Sequence, residues 1–211
     1  MPLQEGYVKY TAYWDMAAPP AESAIHAINE RRSALWRLNL IGAYTTGELA
    51  GIGFGNISTR TPFGEGEFII SGTQTGDFPH LSAAHYTTVV AYNISENWLR
   101  CRGEIQASSE SLTHAAVYES APDCGVVIHI HHKKWWDVLC GKLPTTPADV
   151  PYGTPEMGEA VQHLYRTSAL PQVRAFAMGG HDEGLIAFGD TPAAAWEAVR
   201  NMQQIAEELL S

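Results

Sequence analysis

Gly125-Val126-Val127-Ile128-His129-Ile130-His131-His132 is the stretch around which the chain organises itself. Val126, Val127, Ile128 and Ile130 are β-branched and favour a strand. Successive side chains of a strand point to opposite faces, so Ile128 and Ile130 share one face and His129 and His131 the other. The two histidine Cα atoms then stand about 6.6 Å apart, at about 3.3 Å per residue. Imidazoles at that spacing can converge on one cation at about 2.0–2.1 Å each. Such a pair is equally at home on a polar strand face that binds nothing, so the surroundings decide.

Downstream, Gly179-Gly180-His181-Asp182-Glu183-Gly184 reads as a turn between strands at 173–178 and 185–188. A histidine in such a turn is commonly just exposed. It can also complete a three-histidine site that leaves one position open. Upstream, Ser108-Ser109-Glu110-Ser111-Leu112-Thr113-His114 opens a predicted helix at 110–119, with Ser108 or Ser109 as N-cap and Pro122 closing it. The free amides and positive end of a helix start favour an anion, although a plain cap explains the same residues.

Further out, Ala24, Ile25, Ile28, Leu35, Leu38 and Ile41 recur at helical spacing and predict a helix over 20–44. Gly51-Ile52-Gly53-Phe54-Gly55-Asn56 is too rich in glycine for a helix and reads as a tight turn. Strands are predicted at 57–60 and 67–70 around a turn at 62–66, then a polar loop Ser71-Gly72-Thr73-Gln74-Thr75-Gly76 and a strand at 86–92. Helices follow at 132–139 and 158–167, separated by a proline-bearing loop at 144–155. Thr191 caps the last helix, with Pro192 at its first position and its end near Leu210. Strands interleaved with helices predict an α/β or α+β fold, one domain over 1–211 with helices packed on a sheet.

The 211 residues carry a formal net charge of −10, and the longest basic cluster is Lys133-Lys134. Nucleic acid and anionic membrane surfaces demand clustered cations, so neither is an expected partner. No apolar run is long enough to span a bilayer. Met1-Pro2-Leu3-Gln4-Glu5 lacks the basic-then-apolar order of a secretory leader. Cys101, Cys124 and Cys140 form no CxxC, which argues against a disulfide framework and a thiolate zinc site, and a cytoplasmic location is expected.

Taken in order, Gly55-Asn56-Ile57-Ser58-Thr59-Arg60, Ile70-Ser71-Gly72-Thr73, Ser108-Ser109-Glu110 with His114 and Tyr118, Pro122, Val127-Ile128-His129-Ile130-His131 and Gly184-Leu185-Ile186-Ala187-Phe188-Gly189 resemble the class II aldolase/adducin family. The resemblance runs from the first helix to the last. It implies a three-layer α/β/α fold with a mainly antiparallel central sheet, a divalent metal, usually Zn2+, and a cyclic homotetramer. It implies His129 and His131 as metal ligands, and Glu110 as a carboxylate that touches the metal at rest and then moves a proton. Ser71, Gly72, Ser108 and Ser109 match groups that cradle a substrate phosphate, and Asn56 matches the asparagine of the glycine turn. The expected substrate is a small sugar phosphate or hydroxy-ketone.

The family writes its third ligand as a histidine directly before the glycine of the last strand. Glu183 holds that place here, so His181 is assigned through a small bulge, with Glu183 as the alternative oxygen ligand. Gly53 and Ala107 stand where the family tends to carry a hydroxyl and a proline. Tyr152 is a candidate acid acting across a subunit interface. Epimerases of the family tend to have aspartate where Glu110 stands, so glutamate favours an aldolase. Ser71-Gly72-Thr73-Gln74 keeps a methylthioribulose-1-phosphate dehydratase as the runner-up. A decarboxylase and a non-catalytic, adducin-like assembly domain complete the readings.

Overall fold

The computed structural model describes residues 7–61 and 66–211. The expected turn at 62–66 falls mostly outside them, and the reading of Met1 to Glu5 wholly so. In chain order the elements are β1 (Thr11–Met16), α1 (Glu22–Arg37), β2 (Gly42–Ala43), β3 (Gly53–Phe54), β4 (Asn56–Arg60), β5 (Phe68–Ser71), β6 (Tyr86–Asn93) and β7 (Trp98–Gly103). Then come α2 (Ser111–Ser120), β8 (Val126–His131), α3 (Lys133–Leu139), α4 (Pro155–Thr167), α5 (Leu170–Val173), β9 (Ala175–Ala177), β10 (Gly184–Gly189) and α6 (Pro192–Leu210).

Eight strands form one mixed sheet in the order β1-β7-β6-β5-β4-β8-β10-β9, and β2 pairs with β3 alone among the described residues. Every pairing in the large sheet is antiparallel except that of the edge strand β1 with β7. The two-residue period of β8 sorts the core. Ile128 and Ile130 join a buried cluster with Ile25, Ile28 and Leu35 of α1, Leu139 of α3 and Val199 and Met202 of α6. Val127 joins a second cluster with Leu112 and Ala116 of α2, Met157 and Val161 of α4 and Phe176 of β9. His129 and His131 therefore emerge on the face that carries α2, whose start bears Glu110. No helix among the described residues is long and apolar enough to cross a membrane.

Several boundaries differ from the sequence reading. α1 stops at Arg37 because Asn39 turns left-handed (φ 55°) and the Leu40 N–H bonds back to Leu35 O at 3.0 Å. Leu40 and Ile41 enter the core from beyond the helix. α4 starts at Pro155, with Thr154 accepting from Met157 N, the same Thr-Pro device that opens α6. α2 is not capped by Ser108 or Ser109: Glu110 occupies the N-cap position without a side-chain cap bond. Its carboxylate is turned elsewhere. Strands β1 and β7 were not expected. β1 is largely exposed and, among the described residues, has a partner on one side only, which leaves little hydrophobic pattern.

Phe176 of β9 is fully buried in the cluster it shares with α2 and α4. Phe176→Ala is expected to remove about 3–5 kcal/mol of stability, checked as a loss in urea midpoint at unchanged slope.

β4 is tied to α2 by a buried polar chain. Ser58 Oγ lies 2.7 Å from His114 Nδ1 and 2.7 Å from Tyr118 Oη. Burial pulls the His114 pKa down to about 3. The unfolded imidazole titrates near 6.5, so below that pH the unfolded state binds a proton that the folded state refuses. Stability is complete above about 6.5 and is lost as the pH falls toward about 3. From about pH 7 to about pH 5, His114 should cost the protein about 2 kcal/mol. Urea unfolding at both pH values should show a loss that is smaller in His114→Gln than in the parent by about 2 kcal/mol.

Candidate metal centre

The site forms where β8 ends. β4 and β10 flank β8, with Asn56 opposite His129 and Gly184 opposite His131. Gly55 must be glycine: its φ is +74°, and a Cβ there would stand 2.8 Å from Ile41 and 3.1 Å from the His129 carbonyl oxygen. That close approach carries the chain over His129 and into β4.

His181 arrives on the turn before β10. Its N–H bonds to Met178 O, and its carbonyl accepts from Gly184 N at 2.9 Å. A turn closed by these two bonds, with Glu183 left-handed at φ 69°, stands where the sequence reading assumed a bulge. His129, His131 and His181 are all buried, and one ligand atom from each lies within 4.8 Å of the others. The three ring centroids are 4.8–5.2 Å apart. Glu183 is not in this group. Its Oε2 accepts from Tyr44 Oη at 3.1 Å.

The donor set suits a divalent cation. Burial first, then the neighbouring imidazoles of His131 and His181, hold the His129 pKa well below its ordinary value, so its ring is neutral. His129 Nδ1 faces the Leu185 carbonyl at 3.2 Å. A carbonyl only accepts, which puts the ring proton on Nδ1 and the lone pair on Nε2. Nε2 lies 3.0 Å from His131 Nε2. Two nitrogens bound tetrahedrally at about 2.0–2.1 Å stand about 3.4 Å apart. The spacing is thus close to what one shared ion requires.

Glu110 reaches the same place from the start of α2. Its Oε1 lies 3.5 Å from His181 Nδ1, and its Oε2 accepts from Thr113 Oγ1 at 2.7 Å. Behind His181, the Tyr152 ring stacks on the imidazole at 4.4 Å and 27°. Lys9 Nζ sits over the Tyr152 ring, 3.5 Å from its centroid. Within this chain Tyr152 is therefore a wall for its own His181.

The rest of the cleft is polar. Asn56, Gly72, Ser108 and Ser109 line it, together with Thr73, Gln74 and the glycine turn. Asn56 Nδ2 donates to Ser108 Oγ at 2.9 Å. Ser71 is placed differently: it is buried one residue behind the wall, with its Oγ accepting from Ile57 N at 3.2 Å.

A family model described as Class II Aldolase and Adducin N-terminal domain matches residues 43–210. The chain belongs to that family. Among solved structures, L-fuculose-1-phosphate aldolase from Thermus thermophilus is similar, with TM-score 0.63, 19% identity, and coverage of 90% of this chain and 94% of that one. A sugar-phosphate aldolase from Thermotoga maritima gives TM-score 0.66 at 18% identity, covering 90% and 94%. An aldolase II superfamily protein from Pseudomonas syringae gives 0.60 at 12% identity, covering 90% and 75%. No curated protein matches the sequence. At these identities the neighbours establish the class II aldolase fold.

Against that family pattern, the structure adds residues the sequence did not reveal. Among the described residues, no lysine or arginine lines the cleft. Arg32 lies behind it instead, buried, its guanidinium donating to the carbonyls of Thr75, Gly76 and Phe78. Carbonyls turned to Arg32 turn the amides of Gly76 and Asp77 the opposite way, because C=O and N–H of a trans peptide point apart. A sequence signal existed: Arg32 follows Ile28 by four and precedes Leu35 by three, on the buried stripe of α1. Tyr44 and Thr113 were also missed. Tyr44 lay hidden inside a helix predicted too long.

Proposed function

We propose that the chain is a divalent-metal-dependent lyase that cleaves a carbon–carbon bond in a sugar phosphate or related hydroxy-ketone by a retro-aldol route. The observation that carries this reading is the meeting of three buried imidazoles, His129, His131 and His181, with the Glu110 carboxylate beside them. Histidine nitrogens with one carboxylate are a donor set that suits zinc. Retro-aldol cleavage takes a proton from a hydroxyl and leaves negative charge on the departing enediolate. Bound by three neutral imidazoles, a divalent ion keeps its full charge and supplies Lewis-acid stabilisation worth several kcal/mol.

The chain's own residues do the remainder. Glu110 is the base that accepts the hydroxyl proton and later returns it. Thr113 holds its Oε2 and so sets the plane of the carboxylate. Ser108, its hydroxyl fixed by Asn56, and Ser109 supply donors at the start of α2. With the amides of the Gly72 to Gly76 loop, they suit a phosphate. The Arg32 charge lies behind this loop and adds attraction for an anion without entering the cleft. The similarity to sugar-phosphate aldolases is consistent with such a substrate.

One observation favours dehydration as a second reading: Gln74 of the Ser-Gly-x-Gln stretch lines the cleft and accepts from Gly53 N at 2.9 Å. The test serves both. Zinc-reconstituted and chelator-treated protein is incubated with ketose 1-phosphates and their unphosphorylated analogues, and products are read by mass spectrometry. Zinc-dependent fragments of a split carbon chain are expected. Loss of water from an intact chain would replace cleavage with dehydration. A chain that binds no zinc and changes no substrate would be an assembly module.

A further inference from the structure

Tyr44 follows β2 and brings its hydroxyl to the outer side of His131. The Oη lies 3.0 Å from His131 Nδ1 and 3.1 Å from Glu183 Oε2, and the carboxylate itself is 3.9 Å from Nδ1. Proton counting orders this group. An ionised carboxylate only accepts, so the one phenolic proton of Tyr44 goes to Glu183. The Tyr44 oxygen must then accept from His131 Nδ1. A neutral His131 protonated on Nδ1 has its lone pair on Nε2, the nitrogen that faces His129 Nε2 at 3.0 Å. His129 reaches the same tautomer through the Leu185 carbonyl. The two neighbouring histidines are set by two different devices, and only one of them carries charge.

Glu183 occupies its place under strain. A left-handed backbone is costly for a residue with a side chain, and Glu183 sits there at φ 69°. The turn that strains it also separates two positions. His181 enters the imidazole cluster, while Glu183, next to Gly184, stands outside it against Tyr44.

The geometry points to Tyr44 and Glu183 as a positioning pair that fixes the tautomer and orientation of His131 and places a second negative charge beside the cation, outside its ligands. The inference rests on the metal reading above. Partners that only touch a ligating histidine are worth about 10–100-fold in metal affinity.

The experiment measures zinc affinity of the intact chain by competition with a chromophoric chelator, for the parent, Tyr44→Phe, Glu183→Asn and the double variant. Asparagine tolerates the left-handed region, so Glu183→Asn should leave metal-free thermal stability unchanged or raised while zinc binding weakens about 10–100-fold. Tyr44→Phe should weaken it comparably. The double variant should be no weaker than the worse single one, because both act through the same Nδ1. Nitrogen NMR of the zinc-loaded parent should show His131 protonated on Nδ1, and this holds as a test even where a variant folds poorly. Single variants within twofold of the parent, an additive double variant, or a His131 proton on Nε2 would each overturn the pairing. A parent that binds no zinc would fail the metal reading and take this inference with it. A zinc-binding parent with unaffected variants would fail this inference alone.

Discussion

Replacing His181 with alanine is expected to strip the chain of its metal. His181 is the one cluster member that does not come from β8, so its loss leaves two imidazoles on a single strand. Neighbours of a ligand are worth about 10–100-fold in affinity, and a ligand itself is worth more, so zinc affinity should fall by at least about a hundredfold. The purified variant, dialysed against dilute chelator, should hold far less metal than the parent treated alike. The fold should survive, because the turn is closed by backbone bonds from His181 N to Met178 O and from Gly184 N to His181 O. Far-ultraviolet circular dichroism checks that point. The outcome also decides between the two candidate donors on this turn. If His181→Ala keeps full zinc and Glu183→Gln loses it, the oxygen ligand is the correct one and the imidazole is a wall residue.

Glu110→Gln is expected to lower turnover by about 10²–10⁴, the usual worth of a placed general base. The amide is almost isosteric, and its oxygen can still accept from Thr113 Oγ1, which holds Glu110 Oε2 at 2.7 Å in the parent. Neither position nor packing should change. What disappears is the ability to hold a proton. Because three imidazoles remain, the variant should keep its zinc, so rate and metal content should separate. Turnover at saturating zinc is the measurement. A variant as fast as the parent with metal in place would remove Glu110 from proton transfer.

Much of this centre is legible in the sequence. The alternation Ile128-His129-Ile130-His131 follows from strand geometry, and both core clusters confirm that the isoleucines face away from the histidines. The Thr191-Pro192 start of α6 needed only local chemistry, and its cap bond from Ala194 N is present at 3.1 Å. Thr154 and Pro155 carry the same Thr-Pro signal, and α4 starts there, three residues before the expected 158. Other features left weaker traces. β7 alternates buried Leu99, Cys101 and Gly103 with exposed or half-exposed Trp98, Arg100 and Arg102, but two arginines and a glycine mask the pattern. The charge of Arg32 suits the polar side of α1, while its spacing puts it on the buried side. Ser108 and Ser109 looked like caps, and the backbone instead put Glu110 at the cap position, which frees its carboxylate for the site.

Periodicity along one strand is enough to bring His129 and His131 to one side, since neighbouring residues are bound by fixed geometry. The choice between His181 and Glu183 has no such local basis. It depends on β10 pairing with β8 so that Gly184 lies opposite His131, and on the chain bending left-handed at Glu183 to reach that register. Tyr44 meets the same group from a segment far away in the chain. Register and close approach are settled by burial and hydrogen bonding between distant segments, a physical balance that no short window of residues contains.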